Sequence, residues 1–292
     1  MHLNTVFWQH QLKMSWSNLN NHSLQSRIVL FVKSACQMIL RHFSASIVPF
    51  VGRDIEETEN LTVILLNHKR PENIGCIAQY ILQSGFVGRL VISNNSQDYP
   101  IEKYVKIKDP RLVLINQKDP SGVGVRFVLA QQYPSQYYIC VDDDIFLHPS
   151  QLQWIYWNLR HIKDRPHGIF GAVYEPGDEQ EKEWPFVHRR NRTSSIDILN
   201  GLFAFSKRHL DEYFKICKLL GIEDPKSLMN GEDIILSFTG DKKPLIHNIG
   251  PIWECASASV PGVALHTSRS RFYEERWRIY SILKKSKRLT DT

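Results

Sequence analysis

Three adjacent carboxylates, Asp142, Asp143 and Asp144, are the residues whose types and spacing most directly indicate chemistry. They follow the apolar, β-prone run "YYICV" at 137–141, and the chain returns at once to apolar residues at 145–147. Adjacent like charges repel one another and resist burial, so we expect a positive partner beside them. A hard divalent ion fits, because Mg²⁺ and Mn²⁺ are typically held by one or two carboxylates together with substrate phosphates.

Other motifs that bind phosphate are absent or incomplete. The sequence has no GxxxxGK[ST] loop, and "GVGVRF" from Gly122 lacks the third glycine and the preceding strand of a dinucleotide-binding fingerprint. Phosphatases that form an aspartyl-phosphate also use paired aspartates, but Phe146 stands where such enzymes usually carry Thr or Val. With these motifs excluded, the remaining interpretation of the acidic run is a site for a metal ion and phosphate groups.

The elements around the acidic run are predicted to be alternating strands and helices. Strands are predicted at "LTVILL", "RLVISNN", "RLVLINQ" and "YYICV", with helices starting at Pro71 and covering about 125–132. This alternation indicates βαβ units and a mainly parallel sheet, which binds ligands beyond the carboxyl ends of its strands. We therefore expect one crevice to collect the polar residues that follow the strands: Asn67, Lys69, Arg70, Asn94, Asn95 and Asp142 to Asp144.

The second half of the chain is less regular. It is predicted to contain a helix at about 150–160, the strands "GIFGAVY" and "SIDILNGLFAFS", a helix at about 207–220 and a cationic helix at 270–287. Residues 1–60 are predicted to form a helical or irregular extension, and residues 61–292 the main domain.

Five motifs, read in order, carry a resemblance to a known family. "TVILLNHKRPENI", "VISNN", "VRF", "CVDDDIFL" and "NGEDIILSF" resemble the motifs of GT-A glycosyltransferases, nearest to the exostosin-like type of glycosyltransferase family 64, with family 2 as broader kin. The resemblance covers roughly residues 60–270. It implies an α/β fold of the GT-A type, with a single mainly parallel central sheet flanked by helices.

The resemblance also implies roles for individual residues at the donor site. Asp144 would coordinate the metal that bridges the two phosphates of a nucleotide-sugar, and Asp142 would contact the ribose and donor sugar region. The other residues implied at the donor site are Asn67, Lys69 and Arg70 near the nucleotide, Asn94 and Asn95 at the base, Arg126 toward the donor, and Asp143 within the acidic run. The sequence departs from the family pattern at Val125, where an asparagine is expected, and a helix-surface cation is the alternative for Arg126.

A second carboxylate pair, Glu232 and Asp233, follows Gly231. Carboxylates in the first turn of a helix are also explained by the helix dipole. In the resembling family the aspartate lies on the acceptor side of the donor sugar, where it would act as a general base or stabilise positive charge. His266 is expected to contact metal or phosphate, with a structural histidine as the alternative, and Trp184 is expected to contact the acceptor.

The implied function is a metal-dependent glycosyltransferase. It would use Mn²⁺ or Mg²⁺ to transfer a sugar from a nucleoside-diphosphate donor, most simply UDP-linked, to a hydroxyl of a glycan or glycoconjugate. Exostosin-like kin retain the anomeric configuration and family 2 kin invert it, so both courses stay open. The alternative is a catalytically silent carbohydrate-binding or scaffold protein with the same fold.

Composition limits the partners and the compartment. The chain has 292 residues, 42% of them hydrophobic, and a formal charge of +6 without a long basic run before the C-terminus, so no nucleic-acid partner is expected. Residues 28–50 are apolar but carry three interrupting basic residues, so we expect an amphipathic segment on the domain, with peripheral membrane contact as the alternative.

Five scattered cysteines predict free buried thiols. Sequons occur at Asn21, Asn60, Asn94 and Asn191, yet we expect a cytoplasmic location over a Golgi lumen.

Overall fold

The computed structural model describes residues 61–175, 185–250, 252–254 and 271–290. The expectations for residues 28–50, for Trp184 and for His266 lie outside these residues. The helices are α1 (Pro71–Leu82), α2 (Val125–Gln132), α3 (Pro149–His161), α4 (Lys207–Leu219), α5 (Glu232–Ser237) and α6 (Phe272–Thr290). In the described part of the chain, no helix is both long enough and apolar enough to cross a bilayer.

Thirteen strands complete the described fold, together with short 3₁₀ turns at Ile101–Lys103 and Pro225–Ser227. The strands are β1 (Leu61–Asn67), β2 (Arg89–Asn94), β3 (Leu112–Asn116), β4 (Tyr137–Val141), β5 (Ile145–Phe146), β6 (His167–Gly168), β7 (Phe170–Tyr174), β8 (Phe186–Arg190), β9 (Ser194–Ser195), β10 (Ile198–Asn200), β11 (Leu202–Ser206), β12 (Leu245–Ile246) and β13 (Trp253–Glu254).

The central sheet has eight strands in the order β3-β2-β1-β4-β11-β6-β12-β9. The first four are parallel to one another, as the alternation of strands and helices predicts, and β11 then pairs antiparallel with both β4 and β6. Smaller sheets, β10-β7-β8 and β13-β5, accompany it. The predicted α/β class with a mainly parallel central sheet is confirmed, with the addition that the second half of the chain contributes antiparallel strands.

Burial on both faces explains the continuous apolar run at 63–66 of β1. Val63 and Leu65 join the apolar cluster on one face of the sheet, and Ile64 and Leu66 join the cluster on the other. A strand covered on both faces has no polar side to alternate with, so it appears in the sequence as a continuous apolar run. The polar residues begin where this cover ends, at the carboxyl end of the strand.

Strand register brings the polar strand ends to one edge of the sheet. Asn67 of β1 pairs with Asn94 of β2, which in turn pairs with Asn116 of β3. On the other side of β1, Leu65 pairs with Val141, the last residue of β4. The acidic run that follows Val141 is therefore placed beside the turn that follows β1.

A histidine pair lies buried within the second half of the sheet. His167 Nδ1 lies 2.8 Å from Nε2 of His247, and His167 Nε2 lies 2.7 Å from the carbonyl oxygen of Ile162. Burial lowers the pKa of His167 to about 4 and the pKa of His247 to about 3. Both rings are therefore neutral in the folded protein at neutral pH.

This pair predicts a loss of stability in mild acid. Below about pH 6.5 the unfolded chain takes up protons on both histidines while the folded chain does not, so stability is complete above that pH and falls as the pH drops toward 4. Each histidine contributes up to about 1.4 kcal/mol per pH unit in that window. Urea unfolding at pH 7, 6 and 5 measures the slope, which His247→Gln is expected to reduce. An unchanged slope in that variant would contradict the assignment.

Candidate active site

Asp143 is a buried carboxylate whose oxygens are occupied by the protein. Its Oδ1 lies 2.5 Å from Nη1 of Arg70, and its Oδ2 accepts a hydrogen bond from the backbone N–H of His68 at 2.9 Å. Its carbonyl oxygen accepts a third bond, from Nδ2 of Asn73 at 2.7 Å. These contacts join the end of β4 to the turn between β1 and α1. The positive partner expected beside the acidic run is thus in part an arginine of the chain itself.

The two neighbours of Asp143 are more open to solvent. The side chain of Asp144 is 23% exposed and lies 3.3 Å from Nη1 of Arg70. The side chain of Asp142 is 34% exposed, and its Oδ1 accepts a hydrogen bond from Nη2 of Arg126 at 2.9 Å. Asp142 and Asp144 are therefore the carboxylates of the run that an incoming ligand can reach.

Arg126 connects the acidic run to the second carboxylate pair. From the first turn of α2 its Nη2 contacts Asp142 and lies 3.8 Å from Oε1 of Glu232, while its Nε donates to the carbonyl oxygen of Val123. The guanidinium lies over the ring of Phe203, 5.0 Å from its centroid. Burial disfavours the charge, but Asp142 and Glu232 outweigh burial and raise the pKa above its ordinary value. The alternative of a helix-surface cation is wrong, because Arg126 is buried.

Two glycines allow α2 to start at this position. A Cβ on Gly122 would lie 2.2 Å from the carbonyl oxygen of Leu228, and one on Gly124 would lie 2.1 Å from that of Pro225. Only glycine permits such close backbone contact. The "GVG" segment therefore seats α2 on the 225–228 turn, which precedes Glu232, and so helps to bring Arg126 close to that carboxylate.

Glu232 is the first residue of α5 and is buried. Gly231 precedes it with φ at 86°, a left-handed conformation that suits glycine. Burial, together with the charge of Asp233, raises the pKa of Glu232 to about 7. Among the described residues, Arg126 at 3.8 Å is the cation that forms an ion pair with it. A carboxylate with a pKa near neutrality can both accept and return a proton at physiological pH.

Asp233 is held by a different cation. Its two oxygens accept hydrogen bonds from Nη1 and Nη2 of Arg276 at 2.9 and 2.7 Å, and both side chains are buried. Nη1 of Arg276 also donates to Oδ1 of Asn230 at 3.2 Å. A carboxylate bound bidentately by arginine is held in a fixed orientation. The catalytic role expected for Asp233 stays a prediction, and the contacts show that it joins α5 to α6.

Sequence reasoning missed Arg276, although a signal was present. In α6 it lies four residues after Phe272 and four before Tyr280, on the stripe that faces the domain. An arginine on the buried stripe of an amphipathic helix requires a buried acidic partner, because an unpaired charge is costly to bury. The basic residue expected at the site from this part of the sequence was His266, which lies outside the described residues.

A ladder of amides crosses the ends of β1, β2 and β3. Asn67 Nδ2 donates to Oδ1 of Asn94 at 2.6 Å, and Asn94 Nδ2 donates to Oδ1 of Asn116 at 3.0 Å and to the carbonyl oxygen of Tyr99 at 2.7 Å. Asn95 Nδ2 donates to the carbonyl oxygen of Ser121 at 3.1 Å. The roles of Asn67, Asn94 and Asn95 at the nucleotide stay predictions. The structure gives Asn94 a fully internal set of partners.

Two other basic residues predicted at the donor site, Arg70 and Lys69, differ in how buried they are. Arg70 is buried against Asp143 and Asp144, whereas Lys69 is exposed in the same turn. The structure therefore brings together six of the predicted residues around the acidic run: Arg70, Arg126, Asp142, Asp143, Asp144 and Glu232.

The charges of this group fit a divalent cation that arrives with its own ligands. Four carboxylates face two guanidinium groups, which leaves an excess of two negative charges when all are ionised. In the described ranges, no three His, Cys, Asp or Glu side chains are grouped so that they could hold a metal by themselves. Mg²⁺ and Mn²⁺ tolerate this, because they take one or two protein carboxylates and complete their shell with phosphate and water.

A separate cavity of about 1130 Å³ lies between residues 221–230 and α6. Asn230, which contacts Arg276, is part of its lining, together with Trp277, Met229 and Ile282. The acidic run does not line it.

Comparison with known proteins places the sequence in a family. The family model described as "Glycosyl transferase family 64 domain" matches residues 61–271. The chain belongs to glycosyl transferase family 64. The family predicted from the motifs is thus confirmed, and with it the GT-A type of α/β fold. No curated protein matches the sequence.

Three solved structures illustrate the similarity of this family 64 chain to known folds, all at low sequence identity. S. aureus TarS 1-349 is 12% identical with a TM-score of 0.48, and the match covers 77% of this chain and 65% of TarS. TarS in complex with UDP-GlcNAc gives 13% identity, a TM-score of 0.47 and the same coverage. The mannosyltransferase PcManGT from Pyrobaculum calidifontis, in complex with GDP-Man and Mn²⁺, is 13% identical with a TM-score of 0.43, over 82% of this chain and 69% of that one. The chain spans less than two thirds of the TarS chain.

Proposed function

We propose that this family 64 protein transfers a sugar from a nucleoside-diphosphate sugar, UDP-linked, to a hydroxyl group of a glycan or glycoconjugate. The observation that carries the proposal is the cluster at the carboxyl end of β4. Asp142 and Asp144 are the partly exposed carboxylates of an acidic run with excess negative charge, and Arg126 connects this run to a buried glutamate of raised pKa. Crevices at the carboxyl ends of parallel strands bind ligands in open α/β sheets.

We assign the binding of Mn²⁺ or Mg²⁺ to Asp144, with Asp142 beside it. A bound divalent ion would neutralise the charge that develops on the diphosphate as it leaves. Asp143 and Arg70 support this position, because their buried ion pair fixes the backbone that carries the two partly exposed carboxylates. Arg126 holds the orientation of Asp142 through the bond between Nη2 and Oδ1.

Glu232 is the residue that we assign to proton transfer. Its carboxylate lies beside Arg126, and its pKa near 7 allows it to accept the proton of the acceptor hydroxyl as the new bond to the anomeric carbon forms. Asp233 then has a positioning role, because its ion pair with Arg276 fixes the start of α5, where Glu232 stands. Buried glutamates of raised pKa beside other charged groups are typical of catalytic sites, which favours an enzyme over a silent scaffold.

The metal and nucleotide site is tested by thermal stabilisation. We expect Mn²⁺ and UDP together at millimolar concentration to raise the melting temperature, and neither alone to do so fully, because Asp144 needs the diphosphate to complete the metal shell. Ligand at about 100 times its dissociation constant adds about 2.7 kcal/mol. Asp144→Asn is expected to abolish this shift. It should leave the stability without ligand level or higher, because one of three crowded carboxylates is removed.

Asp119→Asn, in an exposed loop outside the cluster, serves as the matched control and should retain the full shift. Two results would contradict the proposal. One is a melting temperature of the wild-type protein that does not change when Mn²⁺ and UDP are added together. The other is a large loss of stability in Asp144→Asn without ligand, which would make the carboxylate structural. Hydrolysis or transfer from a panel of nucleotide-sugars would then identify the donor and separate an enzyme from a binding protein.

A further inference from the structure

Two of the four sequons lie in the described part of the chain, and the fold treats their asparagines differently. Asn94 is 0% exposed, and its amide nitrogen donates to Tyr99 and Asn116 while its oxygen accepts from Asn67 and from the backbone N–H of Ser96. A sugar on that nitrogen would displace the amide ladder and the ends of β1, β2 and β3. The folded protein therefore has no room for a modification at Asn94.

Asn191 has the opposite surroundings. It begins the three-residue connection between β8 and β9, and Asn191, Arg192 and Thr193 are all exposed. Its φ of 56° is a left-handed conformation, which asparagine adopts more readily than most residues. Thr193 Oγ1 accepts a hydrogen bond from the backbone N–H of Asn248 at 3.1 Å, which fixes the end of the connection. The sequon is thus presented on the surface.

The thiols of the described domain do not require a reducing compartment. Cys76, Cys140 and Cys217 are buried and free. Burial raises the pKa of Cys76 and Cys140 to about 12 and that of Cys217 to about 11, so very little reactive thiolate is present. These three thiols are therefore compatible with the oxidising lumen where N-linked glycans are attached.

We propose that Asn191 is a site of N-linked glycosylation. In the reaction the side-chain nitrogen of Asn191 forms a bond to the anomeric carbon of a saccharide carried on a polyprenyl diphosphate. The bond between that carbon and the phosphate oxygen breaks, the diphosphate leaves with the electron pair, and the amide nitrogen loses a proton to the transferring enzyme. Asn-X-Thr with an exposed asparagine and a middle residue other than proline is the substrate of this reaction. The proposal opposes the cytoplasmic location expected from the sequence, and it does not depend on the proposed transferase activity.

The test expresses the full chain behind a cleavable secretory leader in a eukaryotic cell. The folded monomeric fraction is isolated, and glycopeptides are mapped by mass spectrometry before and after treatment with peptide-N-glycosidase. We expect a glycan on the peptide that contains Asn191 and none on the peptide that contains Asn94. Peptide mapping also separates these two sites from the sequons at Asn21 and Asn60.

Three variants, one at Asn191 and two at Thr193, distinguish the sequon from the turn that contains it. Asn191→Asp keeps a residue that tolerates the left-handed conformation but removes the amide nitrogen, so the glycan should disappear while the melting temperature stays unchanged. Thr193→Ala should also lose the glycan, and Thr193→Ser, which keeps the hydroxyl, should retain it. An unmodified Asn191 in the wild-type protein overturns the proposal. So does a glycan on Asn94 in the folded fraction, because burial would then not determine which sequon is used.

Discussion

Asp233→Asn is expected to lower the free energy of unfolding by about 3 to 5 kcal/mol, the usual cost of breaking a buried ion pair by removing one partner. The side chains of Asp233 and Arg276 are 7% and 8% exposed, and two hydrogen bonds join them. Asparagine keeps the size of the side chain but removes the charged carboxylate that accepts both hydrogen bonds from the buried guanidinium of Arg276. Urea unfolding at pH 7 measures the loss directly.

Two controls separate this effect from an ordinary loss of charge. Asp211→Asn removes the partner of Lys207 in a pair whose side chains are 53% and 52% exposed, and it should cost less than about 1 kcal/mol. Combining Asp233→Asn with Arg276→Met removes both buried charges and should recover much of the loss, and the double-mutant cycle gives the coupling energy. A loss below about 1 kcal/mol in Asp233→Asn alone would show that the pair does not hold α5 to α6.

This expectation changes how a loss of activity at Asp233 should be interpreted. An inactive Asp233→Asn protein would be explained equally well by a displaced α5, which carries Glu232. Activity data on that variant therefore assign a catalytic role only after its stability has been measured. The motif "NGEDIILSF" does not identify its own partner, and the sequence signal lies instead in the position of Arg276 on the buried stripe of α6.

The first half of the fold could be predicted well from the sequence because its signals are local. Leu61–Asn67 is a buried strand with a continuous apolar run, and Pro71 and the helix Val125–Gln132 lie where the pattern places them. Parallel strands bring their carboxyl ends to one edge, so the meeting of Asn67, Asn94 and the acidic run followed from strand order. Here the periodicity and the topology rule were sufficient.

The second half could not be predicted at the same level. β6, β9 and β12 each have two residues, too few to show an alternating pattern, and their pairing depends on contacts between distant segments. The partners of the acidic run were also hidden. A positive charge was expected beside the three aspartates, but only the folded chain shows that Arg70 and Arg126 supply part of it. Long-range ion pairs leave little mark on local sequence patterns.

Glu232→Gln is expected to reduce turnover by about a hundredfold to ten-thousandfold, the usual cost of losing a positioned acid or base. Glutamine keeps the size and hydrogen-bonding shape of glutamate but cannot accept the proton of the acceptor hydroxyl. Binding of UDP and metal should persist, because Asp144 and the bond between Arg126 and Asp142 are untouched. Calorimetric titration with UDP and Mn²⁺ tests whether binding persists. Measurement of sugar transfer or donor hydrolysis tests whether turnover falls.

Stability and pH dependence then distinguish a base from a structural carboxylate. The folded protein raises the pKa of Glu232 from 4.5 to about 7, so this residue contributes stability that is complete below about pH 4.5 and is lost as the pH rises through 7. At pH 8 the glutamine variant should therefore be at least as stable as the wild type, in contrast to Asp233→Asn. Wild-type turnover should rise with pH up to about 7, as Glu232 loses its proton, and should then level off. The control variant Glu274→Gln, on the exposed face of α6, should show the same pH profile. Near-normal turnover in Glu232→Gln would remove this residue from the mechanism, and normal turnover with weakened UDP binding would place it at the donor site.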